Sequence, residues 1–123
     1  MDDRQASLKE KLSRLLLEVA EVEVELSRAE GAIVGVPHYS VIESRAHELG
    51  KELSRQVQQR HMGEITATAA RRARCPCCSA VCEVQEQKRP LTSIDGQVQV
   101  QELKGHCPFC RRDFFPPAGS DGA

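Results

Sequence analysis

The sequence predicts an α+β chain: an N-terminal antiparallel α-helical hairpin of coiled-coil character, followed by a small ribbon built on a β-hairpin. Three observations predict it. Aliphatic residues recur in heptads from Leu8 to Ala29, a second amphipathic run opens with Ser40-Val41-Ile42-Glu43, and two Cys-Pro-x-Cys turns bracket two strand-like runs. The 123 residues include three Phe, one Tyr and no Trp, so the core must be aliphatic and small. At this length the chain is one domain, or two small pieces that each need a partner or a metal.

Leu8, Leu12, Leu15, Val19, Val22, Leu26 and Ala29 are spaced alternately by four and three, which predicts a helix of about residues 4–30 with one apolar stripe. Gly31, Gly35 and Pro37 then end it and turn the chain. Ser40 and Glu43 have the spacing of a capping box, and Ile42, Ala46, Leu49, Leu53 and Val57 carry a second helix over about 41–62 or longer, with Gly50 and Gly63 as weak points rather than stops. Two such helices bury only a narrow stripe against each other, so a homodimer through the heptad helix is expected as well.

Residues 71–74 read as a basic linker and residues 75–116 as the ribbon. Within it, Val81 and Val84, then Leu91 to Ile94, then Val98, Val100 and Leu103 are strand-like, and Asp95-Gly96 marks a hairpin turn. Residues 117–123 have the composition of a disordered tail.

The formal charge of -1 excludes a chain that coats a polyanion by bulk electrostatics. Its distribution is uneven. Residues 1–30 hold five Lys/Arg against eight Asp/Glu, residues 31–70 four against four, and residues 71–123 eight against six, so the positive excess lies beside the cysteines. No apolar run approaches the roughly 18 residues that span a bilayer, and no apolar leader follows Met1-Asp2-Asp3-Arg4. The expected location is cytoplasmic, with no membrane and no small-molecule substrate among its partners. In a reducing compartment six cysteines are metal ligands before they are disulfides.

Cys75-Pro76-Cys77-Cys78 and Cys107-Pro108-Phe109-Cys110 lie 28 residues apart. A Cys-x-x-Cys turn brings two sulfurs to one ion, and two such turns complete a tetrahedron. Cys75, Cys78, Cys107 and Cys110 are therefore the expected ligands of one structural Zn²⁺, with iron as the alternative. Cys77 and Cys82 are the surplus thiols. His106 adjoins a ligand whose sulfur already serves, and His38, His47 and His61 are expected in solvent. A closed four-sulfur site offers no open position for a substrate, and no nucleophile-base pair or phosphate loop accompanies it, so no catalysis is expected. Arg71, Arg72, Arg74, Lys88, Arg89, Arg111 and Arg112 are candidate nucleic-acid contacts, holding phosphates without reading bases.

Cys75-Pro76-Cys77-Cys78, Thr92-Ser93-Ile94-Asp95-Gly96 and His106-Cys107-Pro108-Phe109-Cys110-Arg111-Arg112-Asp113-Phe114-Phe115-Pro116 resemble the zinc ribbon that precedes the catalytic domain of a group of bacterial insertion-sequence transposases of the DDE type. Pro37 to Glu43, His47 to Gly50 and Gln59 to His61 resemble the helical segment before that ribbon. The resemblance implies binding of transposon-end DNA by this region, followed by strand transfer in a ribonuclease-H-like domain with three carboxylates and two Mg²⁺. The resemblance covers residues 75–117 and, with the helical segment from Pro37, about 80 residues, and it implies the binding part without that domain, as a truncated remnant or a separate small protein. Ser79 stands where the family's knuckle has Gly, which implies a strained turn after Cys78. The reading from a different class is a coiled-coil adaptor in which zinc only staples the scaffold.

Overall fold

The computed structural model describes residues 2–116; the tail expected at 117–123 lies outside them. Two long helices, α1 (Asp3–Ala29) and α2 (Tyr39–Thr68), precede four strands, β1 (Arg72–Arg74), β2 (Val81–Ser93), β3 (Gly96–Cys107) and β4 (Arg112–Phe114). The strands form one antiparallel sheet in the order β1-β2-β3-β4. The chain divides into two compact units, Met1–Ala46 and His47–Ala123. The boundary expected near residue 70 thus falls instead inside α2, because the second half of that helix packs on the sheet.

In the first unit the ends of α1 are defined by their caps. Asp2 accepts from the Gln5 N–H at 2.7 Å. At the other end Gly31, with φ +75°, takes the left-handed position, and the Ala32 and Gly31 N–H groups donate to the Ser27 and Arg28 carbonyls at 2.9 and 3.1 Å. This closes a Schellman motif that only glycine enters without strain. Arg45 of α2 then reaches back across the turn to Glu23 at 3.1 Å and Glu30 at 2.9 Å, and it donates to the buried Ser27 hydroxyl at 3.1 Å. The Ser27 hydroxyl, with Arg45 behind it, holds the Glu23 carboxyl below its ordinary range.

This polar cluster is where the two helices meet in that unit. The stripe of α1 is not covered by it: Leu8, Leu12, Leu15, Val19, Val22 and Leu26 are 41–60% exposed. The capping box expected at Ser40 gives way to a cap one turn position earlier. The helix begins at Tyr39, and Nδ1 of His38 accepts from the Ser40 N–H at 3.2 Å.

In the second unit α2 continues through Gly50 and Gly63 to Thr68, beyond the expected 62. Its later half covers an open strand edge. β4 pairs only with Gly105, His106 and Cys107, which leaves the earlier part of β3 without a neighbour on that side. Gln99 lies opposite Pro90, and its N–H points away from β2 and donates to Gln59 Oε1 at 2.9 Å. Thr66, buried, donates to the Gln101 carbonyl at 2.8 Å. Nearer the turn, Ser54 donates to Asp95 Oδ2 at 2.6 Å and Arg55 to the Asp95 carbonyl at 2.8 Å. Side chains of α2 thus replace the strand that the edge lacks.

The hairpin turn sits one residue earlier than Asp95-Gly96. Ser93 pairs with Gly96, so Ile94 and Asp95 are the central residues, and Gly96, with φ +113°, opens β3. Residues 71–74, expected as a linker, carry β1. Ala73 turns inward opposite Cys82, and Arg72 and Arg74 turn outward. Ala73, Val84 and Leu103 form one small core, and Cys75, Cys82 and Cys107 form a second, with Phe114 packed against both. No helix among the described residues is long and apolar enough to cross a membrane.

Candidate metal centre

β1 and β3 each run directly into a cysteine turn, and the two turns have the same local geometry. In Cys75-Pro76-Cys77-Cys78-Ser79 the Ser79 N–H donates to the Cys75 carbonyl at 2.9 Å. In Cys107-Pro108-Phe109-Cys110-Arg111 the Arg111 N–H donates to the Cys107 carbonyl at 2.7 Å. Both closing residues are left-handed, with φ +62° for Ser79 and +56° for Arg111. Each turn also aims a backbone N–H at its own first sulfur, Cys77 to Cys75 Sγ and Cys110 to Cys107 Sγ, both at 3.4 Å. The strain expected at Ser79 is present, and Arg111 shares it. That second position was visible in the sequence as the equivalent place in the repeated turn.

Pairing of β2 with β3 brings the two turns together. Sγ of Cys75 lies 3.8 Å from that of Cys110, and Sγ of Cys78 lies 3.6 Å from that of Cys107. All four sulfurs lie within 4.8 Å of one another. A tetrahedron with metal-sulfur bonds of 2.3 Å has sulfur-sulfur edges of about 3.8 Å, so this spacing fits a single ion. Cys75 and Cys107 are buried, Cys110 is half-buried and Cys78 is exposed; Cys75 follows β1 and Cys107 ends β3, so the centre lies at the end of the ribbon away from the hairpin turn.

The thiols are electrostatically divided. The Cys110 N–H pulls the Cys107 thiol down to about 6. The neighbouring Cys78 and Cys75 sulfurs push Cys110 up to about 12. Backbone N–H groups of Cys78 and Cys77 lower Cys75. At Cys78 the Ala80 N–H pulls downward, but the surrounding sulfurs and burial leave the thiol raised. Four thiolates this close coexist only around a cation, so metal entry must expel the protons of Cys110 and Cys78. Affinity is therefore expected to rise with pH, by about two logarithmic units or more per pH unit near neutrality, and more steeply below pH 6, where Cys107 also holds a proton. Competition with a chelator across pH 5.5–8 measures this; a flat profile would contradict the four-thiol set.

Cys82 is buried against Cys75 and Cys107, and burial raises its thiol. Cys77 is exposed, with Arg112 Nη1 4.0 Å from its sulfur. Neither joins the set of four. His106 is exposed and pairs with Asp113 at 2.8 Å, and His38, His47 and His61 are exposed. Ser79→Gly relieves left-handed strain but frees the unfolded chain, so a net gain of about 0.5 kcal/mol is expected in the metal-loaded protein. Chemical denaturation reads this, and a loss would show that Ser79 holds the turn by its side chain.

The candidate phosphate contacts divide into two groups. Arg71 is held by Glu86 at 3.0 Å and Arg89 by Glu102 at 2.8 Å. The rest surround the metal end or stand free: Arg74 donates to the Ser79 carbonyl at 3.2 Å, Arg111 and Arg112 follow the second turn, and Arg72 and Lys88 are exposed. Two helices followed by an antiparallel, zinc-ribbon-like sheet with a four-cysteine metal centre define the class of this protein. No family model, no curated protein and no solved structure matches the chain.

Proposed function

We propose that the chain is a zinc-stapled, DNA-associated module, without catalysis of its own, equivalent to the front end of an insertion-sequence transposase. The supporting observation is the placement of Arg74, Arg111 and Arg112 around the metal end, none of them in a salt bridge with a carboxylate among the described residues. Four thiolates and Zn²⁺ leave a net charge of about -2, which three arginines more than balance. Zn²⁺ fits because the donors are four soft thiolates in a closed set, and it supplies cross-linking rather than chemistry. The resemblance of residues 75–117 to the transposase ribbon supports the choice of DNA as partner.

The zinc-loaded chain is expected to bind duplex DNA with an affinity that falls steeply with salt. Arg111→Ala with Arg112→Ala should weaken binding to all sequences and reduce the salt slope by about two, one for each lost phosphate contact. Fluorescence anisotropy over a salt series measures both. No binding at low salt would reject the proposal. The adaptor reading rests on a different observation, the uncovered stripe of α1.

A further inference from the structure

The uncovered stripe of α1 carries more information than its exposure. With Leu12, Val19 and Leu26 at heptad position a and Leu8, Leu15, Val22 and Ala29 at d, the flanking g positions are Arg4, Lys11, Glu18 and Glu25. The e positions are Lys9, Leu16, Glu23 and Glu30. The flanks are basic in the first half of the helix and acidic in the second. Arg45 engages Glu23 and Glu30 on the e side, whereas Arg4, Lys9, Lys11, Glu18 and Glu25 are exposed and form no salt bridge among the described residues.

We infer that this face binds a second copy of the same chain, with the two α1 helices antiparallel. In a parallel pair each g residue meets the e residue of the partner's next heptad. Glu18 would then face the partner's Glu23, Glu25 the partner's Glu30, and Arg4 the partner's Lys9, so like charges meet in three of the four pairs, the fourth setting Lys11 against the partner's Leu16. In an antiparallel pair g residues run beside g residues, and Arg4 and Lys11 lie along the partner's Glu25 and Glu18. The apolar layers stay in register: Leu8 sits opposite the partner's Leu26, Leu12 opposite the partner's Val22, and Leu15 opposite the partner's Val19. Like-charge pairs at such positions select against an orientation as firmly as opposite pairs favour one.

One double substitution separates the two orientations by sign. Glu18→Lys with Glu25→Lys makes every g position basic. An antiparallel dimer of the zinc-loaded full chain is then expected to weaken by about tenfold or more, whereas a parallel dimer would tighten, since the new lysines would meet Glu23 and Glu30. Adding Arg4→Glu and Lys11→Glu should restore the antiparallel affinity. Sedimentation equilibrium reads the dissociation constant, and helix content by circular dichroism confirms that the exposed substitutions leave α1 formed. Carbodiimide cross-linking of mixed ¹⁵N-labelled and unlabelled chains gives an independent reading, with inter-chain Lys11-to-Glu18 links expected. A chain that is monomeric at about 100 µM, a dimer tightened by the first pair of substitutions, or inter-chain links joining only residues at the same end of α1 would each overturn the inference.

Discussion

Cys107→Ser is expected to abolish tight metal binding and unfold the ribbon around both cysteine turns. Cys107 is the most enclosed of the four sulfurs, at 0% exposure, and it belongs to the second core cluster as well as to the metal set. Structural zinc contributes roughly 10–16 kcal/mol at neutral pH, and cores made of Ala73, Val84 and Leu103 or of three cysteines have nothing comparable to replace it. Metal analysis should return one zinc per natural chain and none for the variant, and the dispersed amide resonances of β1 to β4 should collapse. Cys77→Ser is the control, since that thiol is exposed and outside the set. Cys82→Ser should cost about 1–3 kcal/mol through a buried hydroxyl yet keep full zinc content. Zinc lost from either control would mean that the ligands are misassigned.

Gly105→Ala carries the second large effect. The far end of the Phe114 ring closes on Gly105, and a Cβ there would stand 2.6 Å from Phe114 Cζ and 2.9 Å from Cε1. The ring cannot yield freely, because it packs on both small cores. A loss of about 1–3 kcal/mol is expected in the zinc-loaded protein, as for other overpacked cores. Combining it with Phe114→Leu should recover part of that loss, because the smaller side chain vacates the space. Denaturation of the two single variants and the double variant gives the coupling, and strictly additive losses would show that the ring and the glycine do not compete.

What the sequence revealed and what it hid follow one physical line. The four sulfurs were legible because a Cys-x-x-Cys turn is a local geometry, fixed by four consecutive residues. The strands of the hairpin were legible for the same reason, through alternating Val98 and Val100 and a nearby glycine. The docking of α2 on the β3 edge was not. It uses Ser54, Arg55, Gln59 and Thr66, a polar stripe that apolar periodicity reads as solvent-facing, and it depends on where β4 stops. β1 was hidden because Arg72-Ala73-Arg74 has one inward residue, too little for a pattern. Gly105 and Phe114 meet only through strand register, which no local motif encodes. The heptad stripe was legible as a stripe, yet its exposure in a single chain appears only once Arg45 is seen to join the helices through charge.

The way α2 lies along β3 also bears on solubility. The segment it guards reads Gly96-Gln97-Val98-Gln99-Val100-Gln101, a run without proline or charge that alternates β-branched and amide side chains. Such segments stack into cross-β ladders when their edges are free. Pro90 blunts the opposite strand, but β3 has no breaker of its own and relies on Gln59 and Thr66 to occupy its outward N–H and C=O groups. A fragment beginning at Arg71 would keep every metal ligand and still expose this edge to its neighbours. The helix before the ribbon therefore acts as a built-in guard against fibre formation, and zinc loading alone would leave such a fragment open to polymerisation.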